Sequence, residues 1–367
     1  MSSDDRVLVV GIGALGGTIG ARAISAGVPV WLATRTVESA AALRSSGLGV
    51  SGIGGVAFAQ DVRVAAVREY EGADKFDLIL LATKAHEALE IAPFLIKLLA
   101  PAGILLPIQN GSVSQILADR LGEKVVLGGL SNLGATMVKP GIYEQRNAGH
   151  LLIGELSGGP SNRAEKVAKV LGKAIEIRVK SNLRGAVWAK LILNCSVTTI
   201  GAIASQTMRQ YMASGVGQEV FRQAYDEALS VALATGVQPE RMIVDPIPPG
   251  WKGASMVSDE YRVWVDQVMA GYGDIKPSML QDFERRRRTE IDFINGYVAQ
   301  LGSKAGVPVP MNTAITDLVH RIEQGKSEPD PARLEELLVR TEVPKNSEQK
   351  IAKVAKGFDA CQSHQDV

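Results

Sequence analysis

The fold of this chain is decided by one stretch near its start, Val7-Leu8-Val9-Val10-Gly11-Ile12-Gly13-Ala14-Leu15-Gly16. A short apolar strand runs into the pattern GxGxxG, and a helix of small residues follows. Gly11 permits the sharp turn, Gly13 lets the backbone approach a pyrophosphate, and Gly16 lets the helix pack closely on the sheet. A second strand, Val28 to Ala33, completes a βαβ unit, which favours dinucleotide binding over a merely structural turn. The predicted cofactor-binding loop consists of Gly11, Ile12, Gly13, Ala14, Leu15 and Gly16.

The end of the second strand indicates which dinucleotide is bound. An NAD-binding unit usually has Asp or Glu at this place, where it holds the ribose 2′-hydroxyl. Here the strand ends in Thr34-Arg35-Thr36, with no carboxylate before Glu38. The guanidinium of Arg35 is suited to bidentate contact with a 2′-phosphate, although a solvated loop arginine is the alternative. We therefore predict NADP(H) as the cofactor.

Length and charge limit the class of protein. A chain of 367 residues is long enough for two domains, each with its own core. The formal net charge is +1, and basic and acidic residues are interspersed. The one dense basic cluster, Arg285 to Arg288, is typical of a solvated helix face, with cofactor contact by one arginine as the alternative. We expect no nucleic-acid partner and no membrane partner.

The cysteine and histidine content argues against metal and disulfide scaffolds. Only Cys195 and Cys361 occur, far apart, and four scattered histidines show no metal-ligand spacing. We expect no metal site. The acidic start, Met1 to Asp5, does not resemble a signal peptide, and no segment approaches twenty uninterrupted apolar residues. These features predict a soluble cytoplasmic protein.

Strand-like and helical stretches alternate after the glycine loop. The predicted strands are Phe76 to Ala82, Gly103 to Ile108 and Val125 to Leu130, with helices from Glu87 to Leu99 and from Ile116 to Leu121. This alternation predicts an α/β fold with a doubly wound parallel sheet. Ligands bind beyond the carboxyl ends of such strands, at Thr83-Lys84 and Gln109-Asn110-Gly111.

The predicted secondary structure changes from mixed strands and helices to helices alone at about Leu183. Tyr143 to Glu155 and Ile175 to Val179 are predicted as extra strands, some of them antiparallel, that close the first domain. Long amphipathic helices follow, at Val187 to Ala204, Val216 to Ala234 and Thr289 to Ala305. We predict a Rossmann-type NADP-binding domain over 1–182, an all-α substrate and catalytic domain over 183–326, and a charged C-terminal extension over 327–367. The extension is predicted to contain one helix, Ala332 to Arg340, and a loose tail.

Polar residues interrupt two apolar helical segments of the second domain. Lys190 and Asn194 lie four apart in Trp188-Ala189-Lys190-Leu191-Ile192-Leu193-Asn194, and so share one helix face. By itself such a lysine is more often solvated than functional. Further polar groups occur in Lys276 to Asp282 and in Arg287 to Gly296, where caps and surface pairs are the alternative.

Several ordered motifs together resemble the ketopantoate reductase family. They are the early GxGxxG, Lys84 after the third strand, the turn Gln109-Asn110-Gly111, WxKLxxN at Trp188 to Asn194, and SMLQD followed by RxTEIDxING. With Gly306 to Asn312 they cover residues 6 to 325. The resemblance implies NADPH-dependent reduction of a 2-oxo acid to a 2-hydroxy acid.

The resemblance also implies roles for single residues. Lys190 would be the general acid, and Glu290 would set its orientation and charge and lie close to the cofactor. Asn110 would hold the cofactor and the catalytic lysine, and Lys84 would lie near the cofactor. The residues implied to contact the substrate are Asn194, Ser278 and, where the family often has a second Asn, Thr198.

The chain also departs from the family pattern. On one straight helix Ser278 and Glu290 would lie about 18 Å apart, so a break between them is expected, yet Arg286 replaces the usual glycine. The region from Gln238 to Ile275 and the tail are longer than the family pattern.

These departures leave other functions open. A paralogous dehydrogenase of another hydroxy or oxo acid and a non-catalytic NADP-binding protein stay as alternatives. A homodimer also stays open. We expect the active cleft between the two domains, with Asn110 on one wall and Lys190 on the other.

Overall fold

The computed structural model of the protein describes residues 5–341. The chain divides into two compact units, Met1–Arg184 (unit 1) and Gly185–Val367 (unit 2). The acidic start before Asp5 and the tail after Thr341, which includes Cys361, lie outside the described residues. The loose tail predicted for the extension falls on that undescribed part of the chain.

Unit 1 contains all twelve described strands. They are β1 (Val7–Val10), β2 (Val30–Thr34), β3 (Leu48–Gly52), β4 (Ala57–Ala59), β5 (Arg63–Ala66), β6 (Phe76–Leu81), β7 (Leu99–Pro107), β8 (Gly128–Ser131), β9 (Ala135–Lys139), β10 (Ile142–Gln145), β11 (Leu151–Gly154) and β12 (Ile177–Val179). Its helices are α1 (Ala14–Ser25), α2 (Val37–Ser46), α3 (Ala85–Ile96), α4 (Val113–Leu121) and α5 (Asn162–Leu171).

The central sheet of unit 1 has the strand order β5-β2-β1-β6-β7, and every pairing in it is parallel. The chain moves outward from β1 to β2 and β5, then returns to the other side of β1 for β6 and β7. β1 is buried along its whole length because helices cover both faces of such a sheet. The predicted doubly wound sheet is confirmed, with its topological switch point at β1.

Two smaller sheets complete unit 1. One has the order β4-β3-β10-β9 and the other the order β12-β11-β8, and both mix parallel and antiparallel pairings. The predicted extra strands are therefore present, but Tyr143 to Glu155 is divided between the two sheets. β10 and β11 are separated by a loop whose Asn147 bonds the backbone of Gly134 and Asn132.

Unit 2 is helical. Its helices begin with α6 (Leu183–Leu193), which starts two residues before the unit boundary. They continue with α7 (Thr199–Ala204), α8 (Met208–Tyr211), α9 (Gly215–Ala234), α10 (Asp259–Tyr272), α11 (Ser278–Glu284), α12 (Asn295–Ala305), α13 (Pro310–Glu323) and α14 (Arg333–Thr341). The predicted helix over Val216 to Ala234 is confirmed as α9. α14 packs against α9 and α13 through the buried Leu334 and Leu337, so the charged extension is part of unit 2 as far as Thr341.

The helix predicted from Val187 to Ala204 is not a uniform α-helix. α6 and α7 are joined by a π-helical turn, Asn194–Thr198, so that the stretch Leu183–Ala204 is one continuous helical rod. Among the described residues this rod alone is long and apolar enough to cross a membrane. It is mostly buried inside the folded chain, as a core helix is, and such a single helix is weak evidence for a membrane span.

The helix predicted from Thr289 to Ala305 is wrong over its first six residues. α12 begins only at Asn295, after a short 3-10 turn at Ile291–Phe293. Ile294 has φ −113° and ψ −102°, which are not helical, and it separates the 3-10 turn from α12. Before it, Phe293 N–H bonds the carbonyl oxygen of Glu290 and Ile294 N–H that of Ile291, in the i→i−3 pattern of a 3-10 helix. Thr289 N–H donates to Glu323 Oε1 of α13, at 2.6 Å, so a distant helix also contacts this segment.

Candidate functional site

The glycine-rich loop between β1 and α1 has the geometry that each glycine was predicted to supply. Gly11 has φ +90°, and a Cβ there would lie 2.6 Å from Thr83 Cγ2. A Cβ on Gly16 would clash with the carbonyl oxygen of Gly11, so the helix packs as closely as a glycine allows. Around Gly13 there is open space, and the first turn of α1 contains no acidic residue. The loop therefore forms a cradle that fits an anionic pyrophosphate.

Tyr143 supports the glycine-rich loop through a hydrogen bond, a role that the sequence did not predict. Its fully buried hydroxyl donates to the carbonyl oxygen of Ile12, at 3.1 Å, and its ring lies where a Cβ on Gly17 would be. Burial raises the pKa of Tyr143 to about 12, so the hydroxyl stays a donor. The signal in the sequence was only that Gly17 follows Gly16, which leaves room for a ring.

Arg35 lies immediately after β2, as predicted, with 84% of its side chain exposed. Its Nη1 atom is 3.2 Å from Oε1 of Glu87, in the first turn of α3. Lys84 is the residue that precedes α3, three residues after the end of β6. The strand ends of β1, β2 and β6 therefore present the glycine loop, Arg35 and Lys84 at the same edge of one sheet.

Asn110 follows β7 at that edge, in a turn closed by Gly111 with φ +74°. The neighbouring Gln109 joins two strand ends, because its Nε2 donates to the carbonyl oxygens of Leu81 and Thr83, at 3.0 Å each. Gln109 thus fixes the turn in which Asn110 lies. The sequence motif indicated this turn, but it did not assign Gln109 a role.

Lys190 and Glu290 interact in unit 2. Lys190 lies in the last turn of α6, and burial lowers the pKa of its ammonium to about 8, while the charge of Glu290 acts in the opposite direction. A lysine with a pKa in this range carries a proton at neutral pH and releases it readily. Such a perturbed pKa, produced by desolvation and a specific carboxylate, is typical of functional lysines.

The turn that brings Glu290 to its place is made without a glycine. α11 ends at Glu284, and Arg286 adopts the left-handed conformation with φ +51°. A non-glycine residue there costs about 1–2 kcal/mol. The break expected between Ser278 and Glu290 is therefore present, and Arg286 bears the strain that glycine would avoid.

Two of the three predicted substrate residues lie along the helical rod Leu183–Ala204, and the third, Ser278, lies on α11. Asn194 is buried at the start of the π-helical turn, and Thr198 ends that turn. The Thr198 hydroxyl donates to the carbonyl oxygen of Asn194, at 3.1 Å. Ser278 is exposed at the start of α11, and its neighbour Pro277 lies against Gly201, one turn beyond Thr198. Asn194 and Thr198 are thus neighbours, and Ser278 begins a helix that contacts α7.

Three buried polar residues of unit 2 have no role in the sequence-based prediction. Glu227 lies in α9, Asn295 begins α12 and Asn312 lies in the first turn of α13. Their signal in the sequence is a polar side chain at a position that helical periodicity assigns to the core. Among residues 5–341, no group of three or more His, Cys, Asp or Glu side chains is placed to hold a metal ion.

Comparison with known proteins gives consistent matches over both units. The family model described as "Ketopantoate reductase PanE/ApbA" matches residues 7–158, and the model "Ketopantoate reductase PanE/ApbA C terminal" matches residues 182–323. The 2-dehydropantoate 2-reductase of Archaeoglobus fulgidus is 28% identical over 321 residues, which are 87% of this chain and 98% of that protein.

Solved structures also resemble this chain over most of its length. The PanE/ApbA family ketopantoate reductase of Ralstonia eutropha superposes with a TM-score of 0.72 at 26% identity, covering 88% of this chain and 99% of that one. A D-mandelate dehydrogenase, solved with NADH and anilino(oxo)acetate, has a TM-score of 0.73 at 22% identity, covering 87% and 98%, and shares the fold. The two family models, matched in order along most of the chain, show that this protein belongs to the ketopantoate reductase family of oxidoreductases.

Proposed function

We propose that the protein reduces a 2-oxo acid of the ketopantoate type to the 2-hydroxy acid with NADPH, and that Lys190 is the general acid. The observation that carries the proposal is the Lys190–Glu290 pair, in which a desolvated ammonium with a pKa of about 8 is held beside a carboxylate. The curated relatives named 2-dehydropantoate 2-reductase support the class of substrate.

Unit 1 supplies the cofactor site in this proposal. The open space at Gly13 and the N-terminus of α1 fit a pyrophosphate, and Arg35 and Lys84 at the same sheet edge fit a 2′-phosphate. Asn110, in its fixed turn, helps to hold the cofactor. The bound cofactor supplies the hydride that reduces the carbonyl carbon.

Unit 2 supplies the acid. Reduction of the carbonyl leaves an oxygen that needs a positive charge and then a proton, and Nζ of Lys190 provides both. Glu290 keeps Lys190 charged before the reaction, because its negative charge opposes the effect of burial. Asn194 and Ser278 bind the hydroxyl or carboxylate of the substrate, and Thr198 borders the same turn.

The proposal is tested by measuring NADPH oxidation across a panel of 2-oxo acids, with ketopantoate first, after NADPH and NADH have been titrated separately. Turnover with a 2-oxo acid of this type supports the proposal. Tight NADPH binding without turnover on any 2-oxo acid would instead indicate a non-catalytic NADP-binding protein.

A second candidate is a related reductase of a different hydroxy or oxo acid. The observation that favours it is the hydroxyl of Thr198, which donates to the backbone of Asn194 where the family often has a second Asn. A substrate other than ketopantoate that gives the highest kcat/KM in the same panel would select this candidate. The homodimer is likewise a proposal, and light scattering after size-exclusion chromatography tests it.

A further inference from the structure

Glu227 is a buried carboxylate to which the proposed reaction gives no role. It lies in α9 and is only 8% exposed, yet each of its oxygens accepts hydrogen bonds. Met311 N–H donates to Oε1 and Asn312 N–H donates to Oε2, both at 2.8 Å. These donors belong to the first turn of α13, whose dipole also favours a negative charge. Glu227 therefore closes the N-terminus of α13.

The carboxylate also orients a buried amide. Nδ2 of Asn312 donates to Oε2 of Glu227 at 2.9 Å and to the carbonyl oxygen of Ala224 at 3.1 Å. Because both partners only accept hydrogen bonds, the amino group of Asn312 has to face α9. Oδ1 of Asn312 is thereby turned the other way, toward Asn295.

The side-chain amide of Asn295 extends this series of hydrogen bonds. Nδ2 of Asn295 donates to Oδ1 of Asn312 at 2.9 Å and to the carbonyl oxygen of Cys195 at 3.2 Å. Both asparagines are fully buried, so neither amide can exchange these partners for water. The direction of every bond in this chain follows from the acceptor-only carboxylate at one end and the backbone carbonyl at the other.

This chain of hydrogen bonds ends at the two elements that carry the proposed site. Cys195 lies within the π-helical turn, one residue after Asn194 and one turn after Lys190. Asn295 follows the 3-10 turn that begins directly after Glu290. Asn295 is therefore attached to both sides of the Lys190–Glu290 pair, and π-helical turns are frequent at functional sites because they set side chains out of the regular α-helical register.

We propose that Glu227, Asn312 and Asn295 form one positioning chain that holds the π-helical turn Asn194–Thr198 in register with the segment bearing Glu290. None of the three touches the reacting atoms in this proposal. They act through Asn194 and Lys190, so the kinetic part of the inference rests on the proposed function.

The test uses the full chain with Asn295→Ala, Glu227→Gln and the double variant, at about pH 7.5, between the pKa values of about 7 for Glu227 and about 8 for Lys190. The first readout is hydrogen exchange of peptides that cover residues 194–204, because it requires no turnover. We expect exchange there to be faster by about tenfold in each variant, with unit 1 peptides unchanged. Exchange equal to wild type would overturn the proposal.

The second readout is kinetic. We expect kcat/KM for the best 2-oxo acid to fall by about 10- to 100-fold, with the NADPH Kd unchanged, because a small displacement of Lys190 or Asn194 is costly. The double variant should be little worse than either single variant if the three residues act as one chain. Additive losses would overturn the proposal.

Tyr225→Phe is the matched control, since it removes a buried hydrogen bond of α9, to the Pro246 carbonyl at 2.8 Å, outside the chain. It should lower the melting temperature without changing hydrogen exchange at residues 194–204 or kcat/KM. If Tyr225→Phe changed exchange and kcat/KM as much as Asn295→Ala does, the proposal would be overturned. If Asn295→Ala does not fold, Asn295→Ser retains a donor for Cys195 and should show the same changes at smaller size. A wild type inactive on every 2-oxo acid would refute the proposed function, while the exchange result would still decide the positioning chain.

Discussion

The proposed cofactor site of unit 1, at the carboxyl ends of its parallel strands, and the proposed lysine site of unit 2, on α6, hold their functional groups by different means. In unit 1 the site is built from backbone: Gly11 at φ +90°, open space at Gly13 and the first turn of α1. In unit 2 it is built from half-buried side chains, Lys190 with Glu290, and Lys190 lies on a helix that changes from α to π at Asn194. A backbone site leaves glycines in the sequence, whereas a side-chain pair depends on elements that are distant along the chain.

This difference predicts that substitutions at the site in unit 2 lower the rate of the reduction step, whereas those in unit 1 weaken cofactor binding. Lys190→Ala should lower kcat by about 100-fold or more, because the developing alkoxide loses its proton donor and its countercharge. Lys190→Arg should also be poor, since guanidinium scarcely releases a proton. Single-turnover reduction, the NADPH Kd and the melting temperature are measured together.

Lys304→Ala, at an exposed lysine of α12, is the control for Lys190→Ala. It should have wild-type rates. A Lys190→Ala enzyme that keeps more than about a tenth of the wild-type rate would mean that the lysine is structural.

Arg35→Ala should weaken NADPH binding by about 10- to 100-fold, because a charged contact to the 2′-phosphate contributes about 1.5–3 kcal/mol. NADH binding should not change. Isothermal titration of both cofactors checks this, with Arg44→Ala, on the neighbouring α2, as an arginine control. Equal affinity of the wild type for NADPH and NADH would contradict the assignment of Arg35.

The pH dependence distinguishes the ammonium of Lys190 from a fixed charge. Its pKa is lowered to about 8, so Lys190 is protonated below that pH and neutral above it. For reduction, kcat/KM should be level below pH 8 and fall by about tenfold per pH unit above it. Oxidation of the hydroxy acid should show the opposite limb.

Glu290→Gln sharpens this test. Removing the charge that raises the pKa of Lys190 should move the break in the profile to lower pH. An unchanged break would show that Glu290 does not set the charge of Lys190.

Tyr143→Phe tests the glycine-rich loop without removing a side chain that is proposed to contact a phosphate. Loss of the hydrogen bond to the Ile12 carbonyl leaves a buried acceptor and should cost about 1 kcal/mol. Cofactor Kd values should rise by about fivefold. NADPH and NADH should be affected equally, unlike in Arg35→Ala. A change confined to one cofactor would argue against support of the glycine loop.

The smallest expected effect concerns Arg286. Arg286→Gly should raise the free energy of unfolding by up to about 1 kcal/mol, because relief of the left-handed strain exceeds the added freedom of the unfolded chain. Denaturant unfolding monitored by circular dichroism measures it, with Arg285→Gly, at a residue with negative φ, as the control that should destabilise. A destabilised Arg286→Gly would show that the arginine side chain contributes more than its backbone costs.

Much of this molecule is determined by the sequence alone. Gly11 and Gly16 leave no room for a Cβ, and Gly13 leaves open space beside the loop, so these glycines specify the loop. Alternating apolar runs indicate a parallel sheet because both of its faces are covered. Local sterics and periodicity are sufficient for these features. The break between Ser278 and Glu290, at Arg286, was expected from the roles that the family resemblance implies together with their spacing.

Only the tertiary structure decided the rest. The sequence shows Lys190 and Asn194 on one face, but only the structure shows the π-helical turn and the hydrogen bond that it accepts from Asn295 of another helix. The predicted helix at Thr289 is interrupted at Ile294, whose backbone is not helical, and the Thr289 N–H group bonds Glu323 of α13. The pKa of Lys190 depends on what buries it, and Tyr143 reaches the glycine loop from a different sheet. These effects arise between segments distant along the chain, where no local pattern records them.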